Sequence, residues 1–157
     1  MQPARVCWVI LQDRARSIVD DVVLNKSATI ERCVARAREE YAAAGPLFAT
    51  DFSRQDAAIL NIQRACEAAL DVGHHLIRRD KLGIPQTARH VFELLAQAGR
   101  IDSALAESLK KMVGFRNIAV RDYQSLLLPI TVSIINEHLD EFLELSSALI
   151  RHDNPGA

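Results

Sequence analysis

Aromatic side chains are scarce in this sequence, with one Trp, two Tyr and five Phe among 157 residues. A core must therefore be built mostly from Leu, Ile, Val and Ala. Six Gly and five Pro are too few for a chain of many hairpin turns. Cys7, Cys33 and Cys66 are an odd set without paired spacing, which excludes a disulfide framework and a zinc knuckle. They read as reduced thiols, with Cys33 and Cys66 packed as small apolar residues. No apolar run approaches the roughly 20 residues that span a bilayer. The segment "VCWVIL" (Val6 to Leu11) is short, is followed by Asp13 and Arg14, and lacks a cleavage pattern. A cytoplasmic protein without a membrane partner is expected. The net charge of -1 gives bulk electrostatics no reason to demand a nucleic acid, although a local basic cluster remains compatible with it. Gly-rich phosphate loops and nucleophile elbows are also missing.

What is present is helix. The Ala-, Leu- and Glu-rich composition favours it, and about 157 residues suit one domain with one core. From Ile18 to about Ala44, Ile30, Val34, Ala37 and Tyr41 form one apolar stripe, stopped by Gly45 and Pro46. A second helix is predicted from Phe52–Ser53, with Ser53 as N-cap and Asp56 in the first turn. Its stripe, Ile59, Ile62, Cys66, Ala69, Gly73 and Leu76, is the strongest periodicity in the chain. A third helix starts at Gln86 or Thr87, buries Val91, Leu95 and Ala98, and closes at Gly99. A fourth, capped by Asp102 or Ser103, carries Leu105, Leu109, Met112 and Phe115. A fifth runs from about Pro129 to Arg151 and buries Ile135, Leu139, Phe142 and Leu149. The predicted fold is all-α, an antiparallel bundle of four to five helices over residues 21–151. Residues 1–20 read as an N-terminal extension, and 152–157, "HDNPGA", as a disordered tail.

At the end of the fourth helix stands "FRNIAVRDYQ", Phe115 to Gln124. On an ideal helix Arg116 and Tyr123 nearly eclipse each other, while Asn117 and Arg121 share an edge. If the helix persists that far, these four line one polar margin. The spacing alone also fits a solvated helix end, with Arg121 near the negative pole of the dipole and Asp122 in the turn.

"MVGFRNIAVRDY", Met112 to Tyr123, resembles the signature of HEPN-domain toxins of the HEPN/MNT toxin–antitoxin family (HepT-like ribonucleases): Arg, a polar residue, three more, His, any residue, Tyr. "NIQRACEAALDVGHHLI", "PQTARHVFELLAQAG" and "LKKMVGF" are similar to helices of that family in the same order, so the resemblance spans roughly residues 21–150. Arg116 then matches the signature Arg, Asn117 the polar residue and Tyr123 the Tyr; Arg121 stands in place of the His. The resemblance implies a HEPN-like bundle that acts as a homodimer and cleaves RNA without metal or other cofactor, the ribose 2′-hydroxyl attacking the adjacent phosphate. It also implies an MNT-type nucleotidyltransferase antitoxin that attaches AMP to the motif Tyr, here Tyr123.

The residue types fit that chemistry. Arg116 offers a planar fork to a phosphate and to charge growing in the transition state. Asn117 orients a neighbour or donates to a phosphate oxygen. An imidazole in place of Arg121 would move a proton near neutrality; a guanidinium keeps its proton up to a pH of about 12 or beyond. Three explanations stay open: a naturally degenerate RNA-binding relative, an active-site variant of a toxin, or service by another His. Loss of cleavage is the favoured reading. The alternative is a non-catalytic RNA-binding or dimerisation adaptor.

Other residues carry weaker signals. Glu67, Asp71, His74 and His75 share a face of the second helix, but a single Asp71-x-x-His74 pair falls short of a carboxylate-bridged metal site, so no metal is expected. Glu67 or Asp71 is instead a candidate to orient Arg116. Arg78, Arg79 and Lys81 read as a solvated basic helix end, and Lys110 and Lys111 as an extension of a basic rim.

Overall fold

The computed structural model describes residues 19–155. The expected extension therefore falls mostly outside the described residues. Its last two positions do not: Val19 is buried, and Asp20 caps the first helix, its carboxylate accepting the Val22 N–H at 2.8 Å. The folded domain thus begins before residue 21.

Helix α1, Asp21–Ala44, and α2, Phe52–Asp80, form the long antiparallel pair at the base of the bundle. Their pairing is fixed at both ends. At one end Asp20 meets His75 and Arg79; at the other, buried Glu40 is held by Arg54 at 2.6 Å and Arg36 at 2.7 Å. Two guanidiniums on one buried carboxylate satisfy a charge that would otherwise be costly to desolvate. Gly45 (φ 53°) takes the positive φ that an L side chain resists, which ends α1 where the sequence indicated.

The cap of α2 is Asp51, not Ser53. Its carboxylate accepts the Arg54 N–H at 3.1 Å, so Ser53 lies inside the first turn. The stripe from Ile59 to Leu76 is buried as its spacing required. Gly73 has a specific reason to be glycine: a Cβ there would stand 2.4 Å from Val91 Cγ1 of the third helix. That helix, α3, Ala88–Gln97, is capped by Thr87 and buries Val91, Phe92, Leu94 and Leu95. Ala98 was expected on its buried face; the helix stops one residue earlier and Ala98 is exposed.

Helix α4, Ser103–Arg121, is capped by Asp102, which accepts the Leu105 N–H at 2.7 Å. The single fifth helix of the sequence reading is three pieces: α5, Leu128–Ser133, a π-helical turn, Ile134–His138, and α6, Leu139–Asp153. The wide turn adds a residue to the ladder and resets the phase, a feature that apolar spacing does not reveal. Helix α6 buries Leu139, Phe142, Leu145 and Leu149 across the bundle. Each such side chain contributes about 1.5–3 kcal/mol relative to exposure.

The tail expectation needs correction. Helix α6 continues through Asp153, and Asp153 is gripped by Arg79 Nη1 and Nη2, both at 2.8 Å. Arg79 also bonds Asp80 at 2.8 and 3.0 Å and Asp20 at 3.3 Å, so it ties the start of α1, the end of α2 and the end of α6. It is an intramolecular clamp rather than a solvated basic end. All described regular structure is helical. Within the described residues, no helix is long and apolar enough to cross a membrane.

Candidate functional site

Helix α4 carries the motif at its C-terminal end. Leu109, Met112, Val113 and Phe115 anchor it in the core, which fixes its rotation and leaves Arg116 half-buried with Asn117 beside it. Arg116 Nη1 donates to Asn117 Oδ1 at 2.8 Å, and this bond holds the plane of the guanidinium. Beneath lies Cys66 of α2. Burial pushes its thiol up to about 12, only partly opposed by the Arg116 charge, so it is an inert packing group.

Arg121 is the last residue of α4, exposed, and placed where the helix dipole favours a cation. Neither Arg116 nor Arg121 pairs with a carboxylate among the described residues. By contrast Lys110, one of the two expected rim cations, is taken up by Glu93 and Glu107, each at 2.9 Å.

The helix does not persist to Tyr123, as the polar-margin reading required. Asp122 leaves helical geometry (φ -147°, ψ 61°), its N–H closing the last turn on Ile118 O at 2.9 Å. Tyr123 opens a separate 3-10 turn, Tyr123–Ser125. Its ring is held from another direction: the hydroxyl donates to Asp56 Oδ1 in the N-terminal part of α2. Burial, and then the Asp56 hydrogen bond and charge, push the phenol up to about 12. Sequence reasoning placed Asp56 only as a favourable charge near a helix start. Sixty-seven positions separate it from Tyr123, and no spacing signal spans that gap.

The two carboxylates proposed to orient Arg116 do other work. Asp71 pairs with Lys26 of α1 at 2.7 Å, and Glu67 accepts from Gln63 at 3.2 Å. The two histidines grouped with them on α2 are engaged separately, His74 with Leu70 O and His75 with Asp20, both at 2.8 Å.

Large apolar side chains are exposed around the motif. Phe52 and Leu60 flank Asp56 on α2, Ile118 and Val120 lie within the motif, and Leu127 follows it. Between α4 and the π turn runs an apolar groove lined by Met112, Phe115, Ile118, Leu126 and Ile134.

The profile of the family described as "Ribonuclease HepT-like" matches residues 30–149, most of the chain and all of α2, α3 and α4. The chain belongs to the HepT-like ribonuclease family. Among curated relatives, the mRNA nuclease HepT of Shewanella oneidensis is 49% identical over 124 residues, 79% of this chain and 92% of that protein. Among solved structures, the tri-AMPylated Shewanella oneidensis HEPN toxin in complex with its MNT antitoxin superposes with a TM-score of 0.79 at 46% identity, covering 83% of this chain and 98% of that one. A toxin–antitoxin structure with AMP-PNP matches with the same TM-score, identity and coverage. The all-helical HEPN architecture expected from the resemblance is thereby the architecture of this HepT-like chain.

Proposed function

We propose that this HepT-like protein is the toxin half of a toxin–antitoxin pair, that it handles RNA as a cytoplasmic homodimer, and that its own cleavage step is disabled or strongly attenuated. The observation that carries this reading is that Arg116 and Arg121, both on the C-terminal part of the motif helix, have no carboxylate partner among the described residues. A phosphodiester is the chemistry that two such groups accept.

In the intact reaction of such a site, no metal is required. The ribose 2′-hydroxyl attacks the neighbouring phosphorus, and the 5′-oxygen of the next nucleotide leaves. Arg116, steadied by Asn117, binds the phosphate and the charge that builds on it. The remaining need is a group that takes and returns a proton. Arg121 supplies charge at that position but holds its protons far above neutral pH. The exposed Phe52, Leu60, Ile118, Val120 and Leu127 support burial of this face against a second copy, which would set four guanidiniums around one cleft. An MNT-type nucleotidyltransferase is the expected antitoxin, with Tyr123 as the residue that receives AMP. AMP on Tyr123 adds bulk and negative charge beside the cationic site and so opposes RNA binding. Complexes of relatives with MNT antitoxin support this assignment.

The test compares RNA cleavage by this chain and by Arg121→His in buffer containing a chelator. General acid–base assistance is worth about 10²–10⁴ in rate, so the His variant should cut at least about 100-fold faster. Equal inactivity of both would overturn the disabled-nuclease reading in favour of an RNA-binding adaptor. Ready cleavage by the unaltered chain would refute the assigned consequence of Arg121.

A further inference from the structure

We propose that Asp56 is the catalytic base for nucleotidylation of Tyr123: it accepts the phenolic proton as the tyrosine oxygen attacks a nucleoside triphosphate. This rests on the reading that Tyr123 is the modified residue.

The geometry is already that of a nucleophile and its base. Tyr123 is 43% exposed, and its hydroxyl donates to Asp56 Oδ1. The two groups come from different elements, the 3-10 turn after α4 and the N-terminal part of α2, so the bond also fixes where the oxygen sits. Asp56 forms no salt bridge among the described residues, which leaves its carboxylate available as an acceptor. On Tyr123's own segment the nearest charges are Arg121 and Asp122, and Asp122 is engaged by Ser125 Oγ. Burial, and then the Asp56 hydrogen bond and charge, hold the phenol well above the usual tyrosine range, so the hydroxyl is protonated at neutral pH. Attack without proton removal would be correspondingly slow.

Tyr123 Oη forms a bond to the α-phosphorus of the triphosphate, the bond from that phosphorus to the bridging oxygen of the β-phosphate breaks, and pyrophosphate leaves. The phenolic proton passes to the Asp56 carboxylate and then to solvent. The partner nucleotidyltransferase supplies the triphosphate site.

The experiment uses the full chain with its MNT-type nucleotidyltransferase and ATP labelled at the α-phosphate. The unaltered chain should take label and Tyr123→Phe should not. Absence of label on the unaltered chain would overturn the Tyr123 reading, and this inference with it. Asp56→Asn keeps an oxygen that accepts the tyrosine hydrogen bond but cannot take the proton. Its labelling rate should fall at least about 100-fold and then climb about tenfold per pH unit between pH 7 and 9, because pre-formed phenolate becomes the reactant. Asp56→Glu should recover part of the rate. Labelling of Asp56→Asn within about threefold of the unaltered chain, or a loss with an unchanged pH profile, would show that Asp56 only positions the ring and would overturn the proposal while leaving Tyr123 as the acceptor.

Discussion

Replacing Arg79 with Ala should destabilise the bundle measurably, although the residue lies at its surface. Arg79 makes five hydrogen bonds to three carboxylates: two to Asp153, two to Asp80 and one to Asp20. An exposed ion pair is worth about 0–1 kcal/mol, while breaking a buried one costs about 3–5 kcal/mol. Arg79 lies between these limits, with a side chain 31% exposed against an Asp153 side chain only 8% exposed. A loss of about 2–3 kcal/mol follows, roughly 6–10 °C in Tm for a domain of this size. The loss should depend on pH. Burial alone would raise the Asp20 pKa, but bonds from His75, the Val22 N–H and Arg79 outweigh it and bring the carboxyl to about 2. Arg79 is likewise the main cause that lowers Asp80 and Asp153. Folded-state values below the unfolded ones stabilise the protein above the ordinary carboxylate range near 4, and that stabilisation fades as pH falls toward 2. Urea melts of both proteins at pH 7, 5, 4 and 3 measure this directly. The gap should be full at pH 7 and 5 and shrink by pH 3. A difference below about 0.5 kcal/mol at pH 7, or one that stays constant to pH 3, would refute the clamp.

Gly73→Ala should destabilise despite the better helix propensity of Ala. A Cβ 2.4 Å from Val91 Cγ1 forces α3 away from α2, an overpacking cost of about 1–3 kcal/mol against a propensity gain of about 1; thermal melts should show a lower Tm, and a companion Val91→Ala change should recover part of it. Cys66 should resist a water-soluble thiol reagent in the native protein and react only on denaturation, because burial raises its thiol to about 12; prompt native labelling would contradict its placement under Arg116.

Much of the fold was legible because α2 writes its buried face in an uninterrupted pattern from Ile59 to Leu76 and because Thr87 and Asp102 announce their helices by type. Errors arose where two readings use the same letters. Asp51 and Ser53 both qualify as caps, and only backbone geometry chooses Asp51. Residues 134–138 keep their apolar spacing whether the turn is α or π. At the site, neighbours in sequence were found and distant partners were not. Arg116 and Asn117 are adjacent and bonded, whereas the hold of Asp56 on Tyr123 exists only once α2 and α4 pack together. Glu67 and Asp71 looked eligible to orient Arg116 from type and helix position, yet Lys26 on α1 and Gln63 on α2 claim them.

The central proposal is that this chain grips an RNA backbone through Arg116 and Arg121 while cutting it very slowly or not at all. The direct measurement is fluorescence anisotropy of a labelled single-stranded RNA titrated with the unaltered protein in a chelator, with the same samples run on a denaturing gel. The account predicts saturable, salt-sensitive binding, strongly weakened in Arg116→Ala, with the RNA largely intact throughout. Absence of binding, or ready conversion of the RNA to fragments ending in a 2′,3′-cyclic phosphate, would contradict it.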